Sequence, residues 1–526
     1  MARHPWLCLS LPKTFLRRTF VSRATLPFLI ALILAAAAEP AHAQDKPLQI
    51  TVNWDKVTRV SQTTPTLQVV VNPPLERGTA IHDNVFQTLR DLQADYVRYV
   101  PWLPYPKLGV AELEAPAGGK TSWDFSNIDP MTIDFLEATK GHSVILNFST
   151  IPQWMYKTDK PVAYPSDPNQ VTWDYEQGTE LRDLSAQEVA DYYARLLAWY
   201  TQGGFTDEAG KRHESGHHYA IPFWEVLNEV DFEHKISAES YTRIYDAVVE
   251  AMRRVQPQIK FIGAALAIPG DNPAFFEYFL NHKNHKPGIP LDFISYHFYA
   301  VPTLDQSPEV EQFTFFIQAD GFFNVVRYIE SIRKRLSPET RTSIDEIGSI
   351  SADDLAQGAP NHVTQPIPNS YWNLAGAMYA YIFGHLTEMG IDVAGESQLV
   401  GYPTQFPSVS MVDWNTGKPN ARIWVLKLLH NNFGPGDKLV EIAPFSPFAA
   451  SNPYLYSLAV VTHDGKHRIL LVNKRDRPID VLVTGVRGGQ EEYVDQTTAL
   501  QPPAFTPIAS DTITLNGYGV AAVTLP

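Results

Sequence analysis

From about residue 61 to residue 436, short strand-like runs alternate with longer stretches whose apolar positions recur every three to four residues. The runs predict strands over 67–71, 94–100, 143–148, 221–227, 261–265, 293–298, 341–344 and 391–394. The stretches between and after them predict helices over 83–92, 131–139, 186–201, 238–254, 273–281, 324–336, 371–389 and 420–431. In the third helix Ala190, Tyr193, Leu196, Leu197 and Trp199 recur at roughly helical spacing, as do Ile244, Val248, Val249 and Met252 in the fourth. Eight strands, each followed by a helix, are the count of an α/β (β/α)8 TIM barrel. A doubly wound sheet alternates similarly, but no glycine-rich turn follows the first run.

The pattern changes after the barrel. Runs at 454–462, 467–472, 479–483 and 520–525 are β-rich and carry no long helical period. His463-Asp-Gly-Lys466 reads as a hairpin turn between the first two. Residues 437–526 are therefore expected to form an antiparallel β-sandwich. The segment 44–60 holds a strand-like run ahead of the barrel (61–436) and is expected to pair with that sandwich. In residues 1–43, Arg3, Lys13, Arg17, Arg18 and Arg23 flank an apolar run at 29–38, and Ala41-His-Ala43 has the spacing of a signal-peptidase site. A cleavable signal peptide is expected, with a secreted or periplasmic bacterial protein as the product. Arg17-Arg18 suits a twin-arginine signal and equally the basic start of an ordinary secretory one. No later run is long enough to span a bilayer, so no membrane anchor is expected after cleavage.

Composition narrows the chemistry. The 526 residues are 44% hydrophobic, 12% aromatic and only 19% charged, which suits a large folded core. Formal net charge is −15, and the first 43 residues are net basic, so the remainder is more acidic still. Such a surface repels phosphate backbones and anionic lipid, which argues against nucleic-acid and peripheral-membrane partners. The single cysteine, Cys8, lies in the signal-like segment. Disulfides, thiolate nucleophiles and cysteine-ligated metals are thereby excluded from the mature chain.

In a TIM barrel, chemistry gathers where strands end and the following loops are free to vary. Strand four runs Ile221-Pro-Phe-Trp-Glu-Val-Leu-Asn-Glu229 and strand seven Arg341-Thr-Ser-Ile-Asp-Glu-Ile-Gly348. They put Glu229 and Glu346 at the mouth on opposite walls. Two converging carboxylates are what cleavage of a glycosidic bond requires, one protonated to serve the leaving oxygen and one ionised to attack the anomeric carbon. Repulsion from the ionised group keeps the proton on the other. Glu225 shares a face with Glu229 but lies deeper, where it reads as an ion-pair partner for Arg98 on strand two; Glu346 is the other candidate partner. His297 and Tyr299, two apart on strand six, point the same way.

Trp224-Glu-Val-Leu-Asn-Glu229 resembles the acid/base motif of the barrel glycoside hydrolases that carry catalytic glutamates on strands four and seven. The whole set most resembles glycoside hydrolase family 39, which holds β-xylosidases and α-L-iduronidases. Ala94-Asp-Tyr-Val-Arg-Tyr99, Trp123-Asp-Phe-Ser-Asn-Ile-Asp129 and Ile151-Pro-Gln-Trp154 are similar to that family's second strand, the segment before its second helix and the loop after its third strand. The resemblance implies a retaining double displacement with Glu229 as acid/base and Glu346 as nucleophile, their carboxyl groups about 5–5.5 Å apart. It also implies that Asn228 hydrogen-bonds the sugar 2-hydroxyl and that His297 and Tyr299 sit beside the nucleophile. No metal and no organic cofactor is needed.

Several readings remain expectations. Trp102 and Trp154 could form the glycone pocket, as could Trp372 or Trp414, and each could equally be core. Strand eight ends Ala394-Gly-Glu396-Ser-Gln398 where an aromatic platform is expected, so Glu396 is taken as a contact for sugar hydroxyls. Asp345 stands where the family often has threonine; it should point away from the pocket and is the fallback nucleophile. His213-Glu-Ser-Gly-His217-His218 looks like a metal cluster but reads as a polar loop, and Asn147-Phe-Ser149 matches a glycosylation acceptor at a strand end. The partner expected is an oligosaccharide or glycoside, with β-xylosidase-like exo action as the substrate reading. An endo-acting enzyme of the same clan and a non-catalytic carbohydrate-binding barrel are the alternatives.

Overall fold

The computed structural model describes residues 46–160, 164–173, 178–302, 308–356, 362–443 and 452–526, so the signal-like segment lies outside the described residues. Eight parallel strands close into a barrel: β1 (Thr64–Val70), β2 (Val97–Val100), β3 (Val144–Leu146), β4 (Phe223–Glu225), β5 (Lys260–Leu266), β6 (Phe293–Ala300), β7 (Arg341–Ser349) and β8 (Val393–Glu396). Helices α1 (His82–Leu92), α2 (Asp129–Ala138), α3 (Gln187–Thr201), α4 (Ala238–Val255), α5 (Pro273–Phe279), α6 (Pro308–Leu336), α7 (Asn369–Met389) and α8 (Ala421–Asn432) follow them in turn. In α4 the expected stripe is buried, the Ser237 hydroxyl caps the N-terminus by accepting from the Ser240 amide, and Arg253 and Arg254 close the last turn. Helix α6 begins at Pro308, well ahead of the residue 324 expected from the sequence. Gly321 inside it weakens the local helical signal, yet Phe315, Phe316, Ala319 and Phe322 are buried, so packing carries the helix through the glycine.

The C-terminal sheets are antiparallel except where Leu48–Ile50 joins Ile479–Val483 in parallel. Val52–Val60 lies at the edge of the seven-stranded sheet, against Lys438–Ile442. Strands at Lys438–Ile442, Gln490–Val494, Ala504–Pro507 and Thr512–Leu515 escaped the sequence reading, because they are short and mix polar with apolar positions. The sandwich seats on α7: the Tyr456 ring lies 5.2 Å from Tyr381 and 4.6 Å from His385, and Lys474 sits 4.6 Å from the face of Tyr381.

Within the barrel the filling is layered. Ile145, Phe223, Ile262, Phe293 and Val393 form a small separate apolar cluster with Tyr96, stoppered by Arg341, whose guanidinium lies 4.4 Å from the Phe293 ring. Gln68, Arg98, Asn147, Glu225, Ser295 and Asp345 make a buried polar group that the apolar plug does not include. Strand β7 carries one residue more than either neighbour. Ser343 and Glu346 pair with Ser295 and His297 on one side, and Ile344 and Ile347 with Ala394 and Glu396 on the other. This is a bulge. Regular alternation would turn Glu346 outward with Ile344; the extra residue brings Asp345 and Glu346 both inward, while Ile347 returns to the outer core.

The bulge needs a glycine beside it. A Cβ on Gly395 of β8 would stand 2.9 Å from the Asp345 Cα and 3.0 Å from its carbonyl oxygen, so β7 leans into space that only glycine leaves open. Gly395→Ala is expected to lower stability by about 1–3 kcal/mol, read from the urea midpoint, and to depress any activity that depends on Glu346. An alanine variant with the midpoint of the wild type would contradict this reading.

The fold also buries carboxyl groups. Burial, only partly offset by Arg98, pushes Glu225 up to about 7, and burial against Arg422 does the same to Glu396. Burial and Glu208 push Glu112 up to about 8, and burial and Asp495 push Glu491 up to about 7. An unfolded chain releases the Glu112 and Glu491 protons near the ordinary value of 4.5, whereas the native chain holds them to about pH 7 to 8. Stability from these groups is therefore fully present below about pH 4.5 and is lost as pH rises through about 7 to 8. The thermal midpoint should fall between about pH 5 and pH 8.5; a flat or rising midpoint over that interval would show that these carboxyls ionise freely in the native state.

Candidate active site

Strand β4 ends at Glu225, and the chain then turns through two left-handed residues, Leu227 (φ 62°) and Glu229 (φ 41°). For non-glycine residues such conformations cost about 1–3 kcal/mol each and persist only where surroundings enforce them. Here the turn is locked by the amides of Phe232 and Glu233, which donate to the Glu229 carbonyl at 2.8 and 2.7 Å, and by Asn147 Nδ2, which donates to the Leu227 carbonyl at 3.0 Å. The Asp231 carboxylate accepts from the amides of Ala267 and Ile268, tying this loop to the one after β5.

Arg98 is fully buried beneath the turn. Its guanidinium donates to Glu225 Oε2 (2.5 Å), Gln68 Oε1 (2.7 Å), Asn228 Oδ1 (2.6 Å) and Glu346 Oε1 (2.6 Å). Glu346 accepts a second bond at Oε2 from the Tyr299 hydroxyl, at 2.7 Å. His297 Nδ1 lies 3.0 Å from Glu229 Oε1 and 3.6 Å from Glu346 Oε2, so the imidazole stands between the two carboxyl groups. One carboxylate oxygen of Glu229, one of Glu346 and a His297 nitrogen all lie within 4.8 Å of one another.

Burial raises the pKa of Glu229; His297 opposes the rise and the charge of Glu346 adds to it. Burial alone would discharge His297, but the carboxylates of Glu346, Asp345 and Glu229 overcome it and hold the ring protonated well above its usual range. The triad of Glu229, His297 and Glu346 is the one group of three metal-type ligands that converges among the described residues.

The structure sorts the remaining candidates. Asn228 is buried, its Oδ1 taken by Arg98 and its Nδ2 donating to Glu233 Oε1 at 2.8 Å. Trp102 reaches the same oxygen through Nε1 at 2.6 Å and stands edge-on to Trp173, with Phe406 beside both. Arg98, expected among the substrate contacts, is sealed under protein carboxylates. Trp154 lies apart from the carboxylate cluster in its described contacts: Nε1 donates to the Glu112 carbonyl and Arg182 covers the ring at 4.4 Å. Glu396, expected to meet sugar hydroxyls, is 0% exposed and paired to Arg422 at 2.7 Å, because β8 directs it into the protein. Asp345 does not point away. The bulge turns it inward but deeper than Glu346, 3.5 Å from His297 Nε2 and 3.9 Å from Arg98, and these two cations lower its pKa against the effect of burial.

Asn147 is 0% exposed and donates to Glu225 at 2.7 Å, so it offers no acceptor site for a glycan. His213 and His217 face Asp207 and Asp129 separately. Trp372 is buried against Tyr371, and Trp414 is half-buried against the outer core. Gln68, Glu233, Trp173, Phe406 and Ser397 join the site without having been singled out in the sequence. Gln68 alone left a signal there, as a polar residue inside the apolar run of β1.

The glycosyl hydrolases family 39 matches residues 209–344, a segment that contains Asn228, Glu229, His297 and Tyr299 and stops short of Glu346. The C-terminal immunoglobulin-like domain of D-apionate lactonase matches residues 455–523. No curated protein matches the chain. Among solved structures, the GH51 arabinofuranosidase from Xanthomonas axonopodis pv. citri shares 14% identity over 91% of this chain and 99% of its own, with a TM-score of 0.59. A family 51 alpha-L-arabinofuranosidase from Bifidobacterium longum shares 13% over 91% and 99%, with a TM-score of 0.62. The catalytic domain of GH30 xylanase C from Talaromyces cellulolyticus shares 10% over 91% and 100%, with a TM-score of 0.56. At these identities the solved structures establish the barrel-and-sheet fold. The family match supplies the chemistry: the chain is a glycosidase, similar to the glycosyl hydrolases family 39 over the segment that holds Glu229.

Proposed function

We propose that the protein is a retaining glycoside hydrolase that works by double displacement. The observation that carries this reading is the approach of Glu229 and Glu346 to within 4.8 Å, oxygen to oxygen, on opposite walls of the barrel. An approach that close favours a nucleophile over the water-separated pair of an inverting enzyme. Glu346, held by Arg98 and Tyr299, attacks the anomeric carbon. Glu229, its Oε1 occupied by the protonated His297, gives the proton on its other oxygen to the departing glycosidic oxygen. The covalent glycosyl–Glu346 ester is then cleaved by a water whose proton returns to Glu229, so both carboxyls end as they began.

The charges favour a neutral sugar. Glu225, Glu229, Glu233, Asp345 and Glu346 crowd the site, while its cations, Arg98 and His297, are buried and already bonded to protein carboxylates. Arg98 and His297, committed to protein carboxylates, do not offer a uronate a clamp. Trp102, Trp173 and Phe406 supply an aromatic wall for the apolar face of a sugar ring. A β-linked xyloside or related pentoside, cleaved from a chain end, is the substrate that the resemblance to family 39 favours. The basic segment, apolar run and Ala41-His-Ala43 of the first 43 residues support export from a bacterial cytoplasm.

A panel of aryl xylosides, glucosides, arabinosides and uronides tests the reading, with the first-formed product anomer followed by NMR. Neutral glycosides should be cleaved with retention and uronides spared. Glu229→Ala should lose about 10²–10⁴-fold in rate, and Glu346→Ala should lose turnover altogether. Inversion at the anomeric carbon, or equal activity of wild type and Glu346→Ala, would refute the proposal; cleavage of internal bonds only would make the enzyme endo-acting.

A further inference from the structure

The hydrogen bonds around Glu346 close into a ring. Arg98 Nη1 donates both to Glu346 Oε1 (2.6 Å) and to Gln68 Oε1 (2.7 Å). Gln68 Nε2 donates to Ser397 Oγ at 2.7 Å, Ser397 Oγ lies 2.5 Å from the Tyr299 oxygen, and the Tyr299 hydroxyl reaches Glu346 Oε2 at 2.7 Å. The ring has one sense. Arginine has only donors, so it fixes the carbonyl end of the Gln68 side chain toward itself and the amide NH2 toward Ser397. Ser397 must then accept from Gln68, which directs its own proton to the Tyr299 oxygen. Tyr299, accepting from Ser397, directs its proton to the carboxylate, the stronger acceptor.

Gln68 and Ser397 are 1% and 0% exposed, so water does not compete for these bonds. Ser397 is also held through its backbone. Its amide donates to the Ile347 carbonyl at 2.9 Å, and its carbonyl accepts from Arg422, which is anchored by Glu396 at 2.7 Å. The buried Glu396–Arg422 pair thus holds the Ser397 hydroxyl at the ring, and a structural role replaces the sugar contact expected of Glu396.

We infer that Ser397 and Gln68 are positioning residues of the hydrolytic reaction, which act by committing the Tyr299 proton to Glu346. The inference rests on the proposed role of Glu346 as nucleophile. Neither residue touches the reacting atoms; Ser397 acts through Tyr299, so its effect should vanish when the phenol is gone, whereas Gln68 also holds Arg98 and should keep part of its effect.

A double-mutant cycle on the full chain tests this, using whichever aryl glycoside the wild type cleaves and reading kcat/KM. Tyr299→Phe should lose about 30-fold, the worth of one hydrogen bond to a charged group, and Ser397→Ala about tenfold. Ser397→Ala added to Tyr299→Phe should change kcat/KM by less than about twofold, and Ser397→Thr, which restores the hydroxyl, should recover most of the loss. Gln68→Glu provides a second arm. It draws the Ser397 proton to itself and adds a charge beside Arg98, so its loss should be larger with Tyr299 present than in the Tyr299→Phe background. Equal losses from Ser397→Ala in both backgrounds, or none in either, would overturn the inference and leave Glu346 as nucleophile. A wild type that cleaves no glycoside would instead refute the hydrolase reading beneath it.

Discussion

A guanidinium sealed inside a barrel must keep its charge, and every group around Arg98 is arranged to meet that demand. Taking such an ion out of water costs several kcal/mol, recovered only if its donors are fully used. Arg98 is bonded to Gln68 of β1, to Glu225 and Asn228 at the end of β4, and to Glu346 of β7. The same contacts that satisfy the cation orient the amide beside Glu229 and one oxygen of Glu346. Removing it would leave buried carboxylates uncompensated, so the stability of the interior and the geometry of the site are parts of one interaction.

Two local departures from regular structure bring the carboxyls to that centre. The bulge in β7 reverses the parity of the strand so that Glu346 faces inward, and Gly395 on β8 leaves the space it needs. The left-handed turn after β4 carries Glu229 over the mouth. Both features are strained or space-demanding, and both are held by neighbours that have no direct chemistry. His297 then stands between the two carboxyls, while burial and the charge of Glu346 raise the pKa of Glu229. In the proposed mechanism burial suits Glu229 to the acid role and the donors on Glu346 suit it to attack, on two residues of the same type.

Much of this was legible in the residues. The eight strand-like runs located every barrel strand, most of them through apolar residues on both faces, although 341–344 is mostly polar and Gln68 and Arg98 interrupt the first two. Glu229 and Glu346 were legible because acids stand where those runs stop. Parity was not. Simple alternation would send one of Asp345 and Glu346 outward, and only the pairing registers on both sides of β7 reveal the extra residue. Glu396 looked available because it ends a strand; its partner Arg422 comes from α8, a contact no local pattern encodes. Glu233 and Ser397 lie in loops without periodicity, so their meeting with Asn228 and Tyr299 is a product of the closed fold. The start of α6 was missed because packing of Phe315 and Phe316 outweighs the glycine that follows them.

The central claim is that Glu346, and no other carboxylate of this crowded site, forms the covalent bond to the sugar. A 2-deoxy-2-fluoro glycoside with a good leaving group slows hydrolysis of the glycosyl–enzyme ester, so the bonded residue can be located by peptide mass mapping. One equivalent of label on the peptide containing Glu346, assigned to that side chain by fragmentation, is the result expected. Label on Asp345, Glu233 or Glu229, or turnover with no trapped ester, would contradict it.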